Sequence, residues 1–180
     1  MGIKGGHLGR VGIRSRQGGP AEGRFVVIHL VCLGSPLHAD DGFGAVMAAR
    51  LTSLDWPAHV RLLDGTACSP LPLFDNCRHA ILLAALPPES GSPGQVLRLD
   101  ASALPSVDPM GTSLANLVAA VRRVLPKPPS MEVMGPVAAL RKPFSPGLSP
   151  LVMAAVGTAT AMLTADLGGS PHRGRRRGAA

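Results

Sequence analysis

Two adjacent carboxylates, Asp40 and Asp41, follow a continuous apolar run at residues 25–33, separated from it by a turn that opens on Gly34. They stand at the start of a segment with helical spacing, where backbone N–H groups are unpaired and the helix dipole favours negative charge. Two readings are open. Asp40 is the helix N-cap, or one carboxylate of the pair points into the cleft beyond the strand ends, where open α/β sheets hold their ligands. Asp64, Gly65 and Thr66 close a second strand at the same level and are candidates for the same cleft, with Asp64 also able to hold its own turn through its side chain. His38, Cys68, Cys77 and Asp108 are further donors by type. Taken singly they read as a loop histidine, two partly buried thiols and a turn-opening aspartate. His79 opens a strand and reads as a satisfied surface histidine.

The elements that must position these residues alternate. Residues 25–33 read as a strand buried on both faces. Phe43, Val46, Met47, Leu51 and Leu54 recur at helical spacing, which predicts a helix over 41–54 ended by Trp56 and Pro57. A strand over 60–63, a short helix over 71–76, a buried strand over 79–85 and an alternating edge strand over 95–99 follow. A second helix over 112–125 takes Thr112 or Ser113 as its N-cap, and a strand at 131–134 leads to Gly135 and Pro136. After a loop at 143–147, Ser149 and Pro150 open a long helix that Gly168 and Gly169 stop. Strands alternating with helices predict a three-layer α/β domain, a mostly parallel twisted sheet of about five strands with helices on both faces.

The chain has 180 residues and a formal net charge of +7, and the charge is not spread evenly. Residues 1–24 and 171–180 each carry a net four positive charges, while the 146 residues between them hold nine Lys or Arg against ten Asp or Glu. Such ends read as a disordered basic leader (1–24) and a disordered Arg-rich tail (169–180) around one domain at 25–168. One Trp, four Phe and no Tyr leave little for base stacking, so a nucleic-acid partner is not expected. Three scattered cysteines form no CxxC pair or zinc pattern, which fits a reducing compartment and predicts a cytoplasmic protein. No apolar run reaches the roughly 18–20 residues of a membrane span, and no membrane partner is expected.

Gly34, Leu37, Asp40, Asp41, Gly42 and Gly44 match, in order, a motif of the hydrogenase maturation proteases. Leu63, Asp64, Gly65, Thr66 and Ala67 resemble that family's Asp-Gly-Gly-Thr segment, one glycine short. Ser92, Pro93 and Gly94, with the strand after them, resemble its Pro-Gly turn, and Gly147, Leu148, Ser149 and Pro150 resemble its Leu-Ser-Pro helix start. Four motifs in series cover about residues 25–167. The resemblance implies an endopeptidase that removes the C-terminal extension of a nickel–iron hydrogenase large-subunit precursor after nickel insertion. It implies nickel carried in by that precursor and no bound organic cofactor, and a monomer is the default expectation. Three side chains would meet the metal. By the match the first is Asp41, the catalytic candidate; the second falls at Ala84, or at Ala85 if the gap shifts; the third falls at Met110, where the family has His. An alanine offers a metal nothing and a thioether little, so one ligand of three is kept. His38 and Asp108 are the substitutes at hand, and Asp40, Asp64, Gly65 and Thr66 would line the substrate cleft. The alternative is a non-catalytic paralogue that binds the precursor as a maturation chaperone.

Overall fold

The computed structural model describes residues 27–66, 71–104 and 114–172. Its centre is a five-stranded sheet. β1 (Ile28–Cys32) lies between β3 (Val60–Asp64) and β4 (His79–Leu83), β4 is followed by β6 (Ser130–Pro136), and β5 (Val96–Asp100) forms the edge. All neighbours run parallel except β5, which is antiparallel to β6. The expected mostly parallel α/β sheet is the one observed.

The central strands β1 and β4 are almost wholly apolar because both faces are covered. Side chains alternate along each strand. Leu30, Cys32, Ile81 and Leu83 pack on one face against Phe43, Met47 and Leu51 of α1 (Phe43–Thr52) and Val152, Ala159 and Leu163 of α3 (Pro150–Leu167). Val31, Leu33, Ala80 and Leu82 pack on the other against Val118 and Val121 of α2 (Leu114–Val124). The three layers follow from that alternation.

Three expectations change. The helix expected over 41–54 is split: Ala39–Gly42 form a 3-10 turn, α1 starts at Phe43, and Leu54 leaves the helix for a two-residue strand. That strand, β2 (Leu54–Asp55), pairs antiparallel with β7 (Ser170–Pro171), and His172 Nδ1 meets the Asp55 carboxylate. Residues 170–172 therefore belong to the folded body rather than to the expected tail. Finally, α3 is long and apolar enough to cross a membrane by length and composition, contrary to the expectation that no run would be. It packs on the sheet along one side, with Ser149 capping its start and Gly168, in the left-handed conformation, its end. The predicted caps of α2, Thr112 and Ser113, lie outside the described residues.

Candidate functional site

The chain passes from β1 to β3 on one side and then returns across β1 to β4 on the other. This reversal leaves a crevice beyond the carboxyl ends of β1 and β4, the usual ligand position in an open α/β sheet. Two sequence-predicted positions fall there. Asp41 follows β1, and Ala84 follows β4 immediately, beside Leu33, whose N–H donates to the Leu83 carbonyl at 2.9 Å.

Gly34 lets the chain fold back over the end of β1. It holds φ +121°, and a Cβ there would stand 2.0 Å from the Asp41 carbonyl oxygen. Only glycine accepts both the dihedral and the approach. The 3-10 turn thereby sits directly over the strand end. The Ser35 N–H donates to Asp41 Oδ2 at 3.1 Å. Asp41 Oδ1 has no protein hydrogen bond among the described residues and is not sealed from solvent. One oxygen is thus anchored and the other is open.

Asp40 does something else. It is 0% exposed, and its carboxylate accepts four hydrogen bonds. The N–H groups of Ala139 and Leu140 donate to Oδ2 at 2.8 and 2.6 Å, the Ser149 N–H donates to Oδ1 at 2.7 Å, and the Ser149 hydroxyl to Oδ2 at 3.0 Å. The Ser149 hydroxyl also accepts from the Val152 N–H at the start of α3. Asp40 is therefore neither a local N-cap nor a cleft residue, correcting both sequence readings. It is a buried latch whose charge is balanced by backbone donors and the amino end of a helix.

The loop it holds lies against the 3-10 turn. The Ala39 N–H donates to the Ser145 carbonyl at 2.7 Å, and the Ser145 N–H to the Leu37 carbonyl at 2.9 Å. The His38 ring meets Phe144 edge-on, with centroids 5.7 Å apart.

The mouth of β4 is apolar. Ala84 is buried at 7% exposure, and a Cβ on Gly135 would stand 1.8 Å from its carbonyl oxygen and 3.4 Å from the Phe43 ring. Asp64 ends β3 opposite Cys32, but its Oδ1 is taken by the Thr66 N–H and hydroxyl at 3.0 and 2.7 Å, and these bonds hold its carboxyl below the usual carboxylate range. Gly65 packs under Leu33 and Leu73, and its N–H donates to the Cys32 carbonyl. The Asp64–Thr66 segment is thus at the crevice level, with Asp64 Oδ1 committed to its own turn. Beneath β1's mouth the Cys32 thiol is pushed up to about 12, first by burial and then by the Asp64 charge.

Cys77 and His79 lie at the opposite, amino end of β4, away from the crevice. Burial pushes the Cys77 thiol up to about 11, and it donates to the His79 carbonyl at 3.2 Å, while His79 Nδ1 is 2.8 Å from the Ser130 hydroxyl. Cys68, Asp108 and Met110 lie outside the described residues. Among the described residues no group of three His, Cys, Asp or Glu side chains stands close enough to hold a metal ion, so His38 does not complete a site with Asp41 and its described neighbours. The sequence pattern does not single out His29, a buried histidine whose Nδ1 lies 2.7 Å from the Leu73 carbonyl and whose Nε2 has no hydrogen-bond partner among the described residues. It stands near the start of β1, one residue inside a strand too apolar to draw attention to it.

No protein-family model and no curated protein matches the chain. Solved structures do. The hydrogenase maturating endopeptidase HybD from E. coli superposes with a TM-score of 0.68 at 22% identity, covering 81% of this chain and 98% of its own. A hydrogenase 2 maturation peptidase from a Thaumarchaeota archaeon gives 0.56 at 25% identity over 79% and 98%. The [NiFe] hydrogenase maturation protease HycI from Thermococcus kodakarensis gives 0.63 at 16% identity over 79% and 93%. The fold of this chain is the fold of those endopeptidases.

Proposed function

We propose that this chain is a hydrogenase maturation protease of divergent type. It receives a nickel–iron hydrogenase large-subunit precursor at the crevice beyond β1 and β4 and promotes removal of the C-terminal extension. The observation that carries this reading is the Asp41 carboxylate, with one oxygen pinned by Ser35 and the other open at the fold's switch point. An open carboxylate oxygen is a ligand for a divalent ion, and an ion already held by the substrate can polarise the scissile carbonyl or a water. The order of motifs, the fold and the endopeptidase activities of its structural neighbours support the same assignment. The reaction belongs to the cytoplasm, in keeping with the free thiols Cys32 and Cys77.

The second reading keeps the partner and drops the cut. The bare methyl group of Ala84 at the strand end favours it, since that position offers the metal no atom. Incubation of the full chain with nickel-loaded precursor separates the two. Loss of the C-terminal extension by mass spectrometry supports the protease. Stable co-purification with an intact extension supports the binding partner, and neither outcome with an authentic precursor would remove both.

A further inference from the structure

The loop latched by Asp40 presents a surface that the crevice does not use. Leu37, Leu140 and Phe144 are exposed at 56%, 46% and 84%, half of the exposed large hydrophobic side chains among the described residues. They converge because the His38 and Ser145 backbones bridge, with His38 supporting the Phe144 ring. Arg141 and Lys142 are exposed between Leu140 and Phe144, and neither has an ion pair among the described residues. The neighbouring Asp40 is sealed, so it puts no exposed acid into the patch.

The backbone here is held against its preferences. Ala39 and Phe144 take φ +48° and +53°, and both flank the bridged pair His38 and Ser145. Non-glycine residues in this region of conformational space persist where surrounding contacts impose them, and they concentrate at binding and catalytic sites. The imposed conformation turns an aromatic ring outward on a chain that has only four Phe. A cluster of exposed apolar side chains on a rigid, polar-rimmed support marks an interaction surface.

We propose that this platform docks a segment of the precursor in which acidic and apolar residues are mixed. The occupant follows from charge. The folded body is close to neutral, and this patch pairs apolar contact with two unneutralised cations, which an acidic–apolar segment complements. The proposal rests on the protease reading above, and it adds a recognition surface distinct from Asp41. Because the segment 35–38 joins the two, with the Asp41 N–H donating to the His38 carbonyl at 3.1 Å, docking on one side positions chain for the other.

The test measures binding and cleavage separately, using nickel-loaded precursor and the full chain as wild type, F144A and the double reversal R141E/K142E. Melting curves establish that the surface variants stay folded. The proposal predicts that the reversal weakens binding about tenfold or more and flattens its dependence on salt. F144A weakens binding without changing the salt dependence, and both variants raise KM more than they lower kcat. Wild-type binding and cleavage with both variants unchanged would overturn the platform and leave the protease reading intact. No binding by wild type would overturn both. A wild-type dimer dispersed by F144A in sedimentation would assign the surface to a second copy and overturn the proposal.

Discussion

The mouths of β1 and β4 are neighbours in the sheet and are built in opposite ways. Over β1, a glycine with φ +121° folds the chain back, two carboxylates sit in the turn, and five hydrogen bonds hold them from the backbone of 35, 139, 140 and 149 and the Ser149 hydroxyl. Over β4, the buried Ala84 packs against Gly135, which in turn lies beside the Phe43 ring, and these residues bring no polar side-chain atom. The polar side is preorganised by those bonds, and the apolar side contributes only packing. Of the two mouths, only that of β1 therefore offers a side-chain oxygen among the described residues.

The largest expected effect comes from breaking the latch. Asp40→Ala takes the acceptor from three backbone N–H groups and a hydroxyl and should cost roughly 2–4 kcal/mol, read as a lower urea midpoint at unchanged slope. A loss below about 1 kcal/mol would mean that the loop is held by other contacts. Gly34→Ala should cost roughly 2–4 kcal/mol, combining backbone strain with the clash at the Asp41 carbonyl.

Ala84→Asp makes the two mouths alike. Without metal it should melt lower, by roughly 1–3 kcal/mol for a buried carboxylate. Added nickel should raise its melting temperature and leave wild type where it was. Equal nickel shifts for both proteins would show that the wild-type mouth of β4 already has a ligand opposite it.

The smallest effect concerns the two thiols, Cys32 beneath the mouth of β1 and Cys77 before the amino end of β4. Cys32 and Cys77 hold their protons to about 12 and 11 against 9 for the free thiol. At pH 8 both should alkylate far more slowly in the folded than in the unfolded chain, resolved peptide by peptide in a mass spectrum. The folded state keeps these protons where the unfolded chain releases them, so stability should fall as pH climbs from 9 towards 12. Rapid native labelling of Cys32 would show that water reaches under β1.

The sheet and its three layers were readable because strands buried on both faces have near-continuous apolar runs, as in β1 and β4, and because α3 announces itself through Ser149, Pro150 and Gly168. The division of labour between Asp40 and Asp41 was not readable. It depends on contacts with residues 99 to 109 positions away, and adjacent carboxylates differ in sequence only by order. The β2–β7 ribbon was missed because two residues per strand, one of them Pro171, leave no period to detect. The loop at 143–147 was expected as a loop, but nothing local shows that Ser145 would bridge to His38.

The most direct test of Asp41 is single-turnover cleavage of nickel-loaded precursor by wild type and by Asp41→Asn, which preserves shape and removes the charge. The melting temperature should stay unchanged, precursor binding should be retained and cleavage should fall by at least about a hundredfold. Cleavage by Asp41→Asn at the wild-type rate would contradict the role given to Asp41.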